Sequence, residues 1–382
     1  MSSVIYLDHA ATSWPKPDSV MEAMKTAMEE AGANPGRGSH RMAVNASRVL
    51  YQVRHRLASL FAVRNPNDIV LTPNTTAALN LAIKGYLKPG NHVIATMVEH
   101  NSVRRPLEYL KRTAGITVDY IAVNEEGDID LKEVERSFQP NTALVVCSHS
   151  SNLLGSILPV AELGEMAVRH GAVLLVDAAQ SAGMLHIDVE EMNIGMLAFP
   201  GHKGLLGPQG TGGLYVSSHV ELEPQLHGGT GGQSEAPEQP DVRPDRYEAG
   251  TPNTIGFAGL QAGVEQVMEW TTEHIYRHEW ELTQYMMEGL SAVNGLRMLG
   301  PKPGRPKTGI VSFVPNNIDP ALLAFRLDRE YGIAVRAGLH CTPLGHQASG
   351  TEITGAVRAS VGIWTSRQDI DTLVDAVTKI ME

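Results

Sequence analysis

Short apolar runs recur along the chain at 68–71, 92–95, 143–147, 172–176, 196–199 and 213–216. They are apolar at successive positions. A strand with one wet face would alternate, so these runs predict strands buried on both faces. Amphipathic stretches at 43–61, 75–86 and 159–170 lie between several of them, the last with Pro159 at its start and Gly171 just past its end. Strand–helix alternation of this kind predicts a mostly parallel sheet with helices on both faces.

The pattern then changes. Residues 217–254 are rich in Gly, Pro and polar side chains and read as one long surface loop. A long helical period covers about 255–293. Beyond it come a strand at 309–313, a helix at 320–331, strands near 333 and over 356–362, and a closing helix from Arg367 with Ser366 as N-cap and Asp369 three residues on. This predicts a small α+β domain from about residue 260. The sequence contains no internal repeat and no low-complexity tract.

Composition narrows the function classes. The 382 residues are enough for a large and a small domain, each with its own core. With 31 Lys plus Arg against 42 Asp plus Glu, the net charge of -11 argues against nucleic acid and anionic lipid as partners. Cys147 and Cys341 are the two cysteines, too few for a disulfide framework, and a reducing compartment fits. The first residues carry no basic stretch followed by a long apolar run, and no apolar run is long enough to span a bilayer. The expected location is the cytoplasm.

Candidate chemistry gathers at two places. Asp177 directly follows the apolar run 172–176, where the carboxyl ends of strands in an open α/β sheet form a ligand crevice. A carboxylate there needs a partner, and a protonated pyridine nitrogen would serve. Lys203 follows the run 196–199 in the Gly-rich turn Gly201-His202-Lys203-Gly204, from which an amine can reach a crevice and condense with an aldehyde. Singly, each is weak evidence: an Asp after a strand more often caps a helix, and a loop lysine is usually solvated.

Together with other motifs they form a pattern. The chain resembles the class-V aminotransferase family of fold-type-I pyridoxal phosphate enzymes, in its cysteine desulfurase and selenocysteine lyase branch. The resemblance runs through Tyr6-Leu7-Asp8-His9-Ala10-Ala11-Thr12, Asn74-Thr75-Thr76, Glu99-His100-Asn101-Ser102, Ser151-Asn152-Leu153-Leu154-Gly155, Asp177-Ala178-Ala179-Gln180, Gly201-His202-Lys203, Glu248-Ala249-Gly250-Thr251-Pro252-Asn253, Arg336-Ala337-Gly338-Leu339-His340-Cys341 and Val357-Arg358-Ala359-Ser360. It implies a large domain over 16–259 with a seven-stranded, mostly parallel sheet. It also implies a small domain made of 1–15 and 260–382, and a homodimer with sites at the interface.

The resemblance assigns roles to residues. Lys203 carries pyridoxal 5'-phosphate as a Schiff base and Asp177 pairs its ring nitrogen. Thr75, Thr76 and His202 bind the phosphate, helped by a helix N-terminus. His100 lies on the ring, and Gln180 bonds its phenolic oxygen. Thr251 reaches the phosphate of the other subunit. Asn152, Arg336 and Arg358 serve the substrate, with the guanidinium fork of Arg358 suited to its carboxylate. No metal is implied. One position departs from the family: Pro200 stands where a hydroxyl residue often precedes Gly-His-Lys, so it offers the phosphate neither hydroxyl nor N–H.

Cys341 selects the reaction. It lies among turn-forming residues, near His340, His346 and Arg336, three potential cations that would favour its thiolate. Cys147 ends a core run and reads as a small hydrophobe. The implied activity removes sulfur from L-cysteine, giving alanine and a persulfide on Cys341, with a thiol or acceptor protein taking the sulfur. The loop between Cys341 and Arg358 is expected to hinge the thiol in and out. The alternatives are a selenocysteine lyase acting on L-selenocysteine, another class-V lyase or aminotransferase, and a non-catalytic protein on the same scaffold.

Overall fold

The computed structural model describes residues 4–36, 38–233 and 235–382; residues 1–3, residue 37 and residue 234 of the long loop lie outside them. In chain order the strands are β1 (Ile5–Tyr6), β2 (Ile69–Thr72), β3 (His92–Thr96), β4 (Thr117–Ile121), β5 (Thr142–Ser148), β6 (Val173–Asp177), β7 (Met196–Pro200), β8 (Gly212–Val216), β9 (Leu296–Leu299), β10 (Ile310–Pro315), β11 (Ile333–Ala334), β12 (Arg336–Gly338) and β13 (Ala356–Ser360). The helices are α1 (Asp18–Glu30), α2 (Arg41–Leu60), α3 (Thr75–Tyr86), α4 (Asn101–Ala114), α5 (Leu131–Ser137), α6 (Val160–Arg169), α7 (Thr254–Trp270), α8 (Thr272–Ser291), α9 (Pro320–Tyr331), α10 (Pro343–Ala348) and α11 (Arg367–Met381).

The apolar runs form a seven-stranded sheet in the order β2-β8-β7-β6-β5-β3-β4. Only β8 runs against its neighbours, pairing antiparallel with β2 and β7. Successive residues of one strand feed two different cores. Val145 and Cys147 of β5 join Leu174 and Val176 of β6 on one face, with α2, α6 and α7. Leu144 and Val146 join Leu175 on the other face, with α3 and α4. This is why the runs are unbroken in sequence.

Edge strand β4 escapes that pattern. Its residues alternate between exposed and partly buried positions, as one wet face requires.

A four-stranded antiparallel sheet, β12-β13-β10-β9, carries the C-terminal part. The N-terminal segment belongs with it: β1 pairs parallel with β11, and the amide of Ser360 donates to the carbonyl of Leu7 at 2.7 Å.

The helical period expected over 255–293 is two helices. Thr271 breaks it with φ 67°, and its Oγ1 then caps α8 by accepting from His274 N at 3.3 Å. No Gly or Pro marks this break. The boundary expected at 259/260 falls inside α7, whose Phe257, Leu260 and Val264 all belong to the large core. We propose Thr271 as the boundary instead. Helix α6 starts at Val160, so Pro159 occupies the capping position.

Candidate active site

The carboxyl ends of the parallel strands bound a cavity of about 220 Å³. Asp177 ends β6, Ser148 ends β5, and Lys203 lies three residues past the end of β7. Thr75, Thr76, His100, Asn152, Asp177, Gln180, His202 and Lys203, scattered over more than a hundred positions of sequence, all line this one cavity.

The turn that carries Lys203 is held by close backbone contact. A Cβ on Gly204 would lie 2.4 Å from Ala182 O, and one on Gly183 would lie 2.3 Å from Gly204 O. Only glycine permits the two loops to approach so closely. Ser13 adds to this, donating from Oγ to Lys203 O at 2.8 Å.

Burial tunes the ionisable groups. Asp177 is 3 % exposed, and desolvation raises its carboxyl to about 6 against the opposing pull of Ala179 N and Lys203. Burial and the nearby Arg358 lower the Lys203 amine to about 8, with Asp177 pulling the other way. Burial and Lys203 lower His100 to about 4, so it is a neutral ring. Its Nδ1 accepts from Ser102 N at 3.0 Å, which places the ring proton on Nε2. Ser102 Oγ also sits 2.8 Å from Thr76 Oγ1 and 2.9 Å from His100 Nδ1, joining the helix start to the imidazole.

These groups fit pyridoxal phosphate. Thr75 Oγ1 is buried without a hydrogen-bond partner, in the first turn of the 12-residue helix α3 and on the cavity wall. An orphaned hydroxyl beside free helix amides suits a phosphate. Asp177 accepts one internal bond, from Ala179 N at 2.9 Å, leaving it able to take a cationic ring nitrogen. His202, lowered to about 4 by burial, offers a neutral N–H; its Nδ1 lies 3.1 Å from Thr12 Oγ1. Gln180 uses one N–H of its amide on Ala10 O at 3.0 Å, which leaves the second N–H for a phenolic oxygen.

The expected substrate residues lie beside the cavity. Arg358 is 1 % exposed; its Nη2 donates to Asp8 at 2.9 Å, its Nη1 to Asn152 O at 2.9 Å, and its Nε has no partner. Asp8 was given no role on sequence grounds, although it stands in one of the quoted motifs. Its partner lies 350 residues away, so no local signal could reveal the pair. Arg336 points at the cysteine, with Nη2 3.6 Å from Cys341 Sγ.

Cys341 is exposed, while Cys147 is buried and its thiol pushed well up. Two expectations about Cys341 need correction. His340 and His346 are buried, and desolvation lowers them to about 3 and 4. They are neutral, stacked 5.5 Å apart, so among the three named candidates Arg336 is the cation at the sulfur.

The second correction concerns the hinge. His340 and Cys341 both have positive φ, 47° and 59°, and each is clamped. Asn152 Nδ2 donates to His340 O at 2.6 Å, Asn101 N to Cys341 O at 2.8 Å, and Thr342 Oγ1 to Glu99 O at 3.2 Å. The left-handed pair costs a few kcal/mol, about 1–2 for each residue, and these bonds hold it. A hinge of the whole loop would have to break these bonds, whereas rotation of the thiol about its own side-chain bonds would not. Asn152, expected at the substrate, is engaged in this clamp.

Thr251 is not at the cavity. It is exposed, with Oγ1 3.4 Å from Asn34 Nδ2. Its loop is anchored through Glu248, which accepts from Leu71 N at 2.6 Å and pairs with buried Arg54.

The profile of the family described as "Aminotransferase class-V" matches residues 5–373. A protein of Halalkalibacterium halodurans named probable cysteine desulfurase is 35 % identical, covering 100 % of this chain and 94 % of that one. One of the same name from Methanothermobacter thermautotrophicus is 36 % identical over 98 % of this chain and 94 % of its own. The solved apo structure of a cysteine desulfurase from Thermococcus onnurineus superposes with a TM-score of 0.93 at 34 % identity, covering 99 % of this chain and 94 % of that chain.

The amine of Lys203 condenses with an aldehyde only when unprotonated. Uptake of pyridoxal phosphate by the cofactor-free protein should therefore speed up as pH rises through about 8 and level off above it. Stopped-flow absorbance across pH measures this; a rate that falls over the same range would contradict the assignment of Lys203.

Proposed function

This chain belongs to the class-V aminotransferase family, and we propose that it acts within it as a pyridoxal phosphate-dependent cysteine desulfurase, turning L-cysteine into alanine and leaving the sulfur as a persulfide on Cys341. The observation that carries this reading is an exposed thiol on a clamped turn, with a guanidinium 3.6 Å from its sulfur. A lyase or aminotransferase has no use for such a thiol.

When bound, the cofactor supplies an electron sink for charge left at the substrate's Cα. The remaining work falls to side chains. Lys203, as a free amine, takes the Cα proton. Arg358 holds the substrate carboxylate; its buried, unpartnered Nε is the donor still to be satisfied. His100, a neutral imidazole on the cavity wall, would help to hold and orient the cofactor. Cys341 attacks the substrate's sulfur: the S–S bond forms, the Cβ–S bond breaks with its electron pair on carbon, and that carbon takes a proton. Alanine leaves, and a thiol or an acceptor protein removes the persulfide sulfur.

Two further parts of the reading concern assembly and location. Thr251 serves the site of a second copy. Its loop neighbours Gly250 and Pro252 line a surface depression together with Tyr51, a large apolar side chain 59 % exposed, as a dimer contact would explain. The reaction belongs in a reducing compartment such as the cytoplasm, because Cys341 must stay a thiol; finding it disulfide-bonded in cells would remove this placement. Among the described residues, no helix is long and apolar enough to cross a membrane.

Replacing Cys341 by Ser should leave cofactor binding intact and abolish alanine formation from cysteine, while selenocysteine, with its weaker C–Se bond, is still turned over. Alanine release at the wild-type rate would reduce the protein to a lyase of the family. Arg358→Ala should weaken cysteine binding by roughly 2–5 kcal/mol while the cofactor stays bound. An unchanged KM for cysteine would free Arg358 from this role. Sedimentation should give a dimer; a monomer with full cofactor occupancy and activity would remove Thr251 from the site.

A further inference from the structure

Lys203 faces a second cavity. It shares Ala179, Gln180 and Lys203 with the first and has a volume of about 50 Å³. Its far wall comes from α8, where Glu279 contributes a carboxyl group that is 5 % exposed. Among the described residues, Glu279 Oε2 has no hydrogen-bond partner. The backbone makes room for it, since a Cβ on Gly309 would lie 2.9 Å from that oxygen.

An orphaned carboxyl oxygen needs a partner, and the cavity, partly open and lined mainly by apolar side chains, can admit water to it. One water needs about 10–15 Å³, so the space fits roughly three to five. The polar groups to hold them are present: Ser13, Gln180 and Ser360 line the same cavity.

The chemistry at Lys203 creates a need for such a space. An amino-acid substrate arrives as an ammonium ion, yet Lys203 can act as a base only as a free amine. Where Lys203 is released still protonated, that proton has to leave it before it can act as a base. The first cavity is filled by cofactor and substrate while this happens.

We propose that the second cavity holds a short chain of waters that carries protons between Lys203 and Glu279, making Glu279 the proton store for the catalytic amine. The proposal rests on Lys203 acting as the base. The step moves protons alone: the Lys203 ammonium gives one to water, water gives one to the Glu279 carboxylate, and the reverse sequence restores both. In the cofactor-free protein burial raises Glu279 to about 8 and lowers Lys203 to about 8, so the two groups hold a proton about equally well and Glu279 accepts one where it is ionised. The other titratable groups at the cavity are His9 on its wall and Lys16, whose Nζ donates to Ser13 at 2.7 Å. Burial lowers His9 to about 4, so it is neutral, and lowers Lys16 to about 8.

The test uses the holoenzyme with bound alanine in D2O, following exchange of the Cα hydrogen by NMR. Glu279→Gln keeps the shape and loses the proton site; Glu279→Leu also loses the polar contact. Both should slow exchange by about tenfold or more, with borohydride still fixing the cofactor to Lys203. Crystals of the cofactor-free wild type should show water within hydrogen-bond distance of Glu279 Oε2. Wild-type exchange in Glu279→Gln, or a dry cavity, overturns the proton store and leaves the Lys203 assignment standing. Slow exchange in Glu279→Leu alone reveals a packing role and also overturns it. No exchange in the wild type removes Lys203 as the base, and the proposal falls with it.

Discussion

Asp177 and Lys203 leave water when the chain folds, and most of the site answers the cost of that. A carboxylate 3 % exposed at a strand end is tolerable only beside a positive partner. Lys203 is such a partner, and each group opposes the shift that burial imposes on the other. The result is a carboxyl and an amine whose values approach neutrality from opposite sides. Arg358 adds a cation that lowers the amine further, and Asp8 offsets Arg358 in turn. One buried arrangement of charge thus links the ends of β6 and β7 to the N-terminal segment and β13.

The same logic explains why the reactive cysteine is held so firmly. A thiol presented on two successive left-handed residues is a strained arrangement, and strain persists only where the surroundings hold it. Here the clamps come from two parts of the large sheet's rim: Asn152 after β5, and Glu99 and Asn101 in the connection from β3 to α4. Glu99 is itself buried, with its carboxylate accepting from Thr96, Ser148 N and Ser148 Oγ at 2.6, 2.8 and 2.9 Å. The rim that positions His100 therefore also fixes the turn that carries Cys341, although the two residues sit on opposite sides of a long stretch of chain.

What was legible in the sequence follows from burial. Strands β2, β3, β5, β6, β7 and β8 are covered on both faces and leave continuous apolar runs. Strand β4 is half wet and left none. The break at Thr271 carries no Gly or Pro, and so α7 and α8 read as one period. Asp177 and Lys203 stood out only through the order of motifs around them, since a strand-end Asp and a loop Lys are common. The charge state of His340 and His346 could not be read at all, because it depends on burial. Glu279 did leave a signal that went unread: it falls in step with Ile275, Leu282 and Met286 on the buried stripe of α8, while Glu281 and Glu288 face solvent. A carboxylate in phase with a core stripe is a group that folding must accommodate.

That accommodation bears on how the two parts of the chain work together. Lys203 sits on the turn after β7 of the large sheet, whereas Glu279 lies on a helix that packs with the small sheet. The floor of the second cavity comes from Ala10 and Ser13 of the N-terminal segment and from Ser360 at the end of β13. The environment of the amine is therefore set jointly by the segment that starts the chain, the sheet that bears Asp177 and the helix that follows Thr271. A shift of one part against another would change the volume and polarity around Lys203, and through Ala11 it would also move the wall of the first cavity. The pairing of β1 with β11, and the bond from Ser360 N to Leu7 O, oppose such a shift. They show why a two-residue strand at the edge of the molecule matters to an amine nearly two hundred residues away.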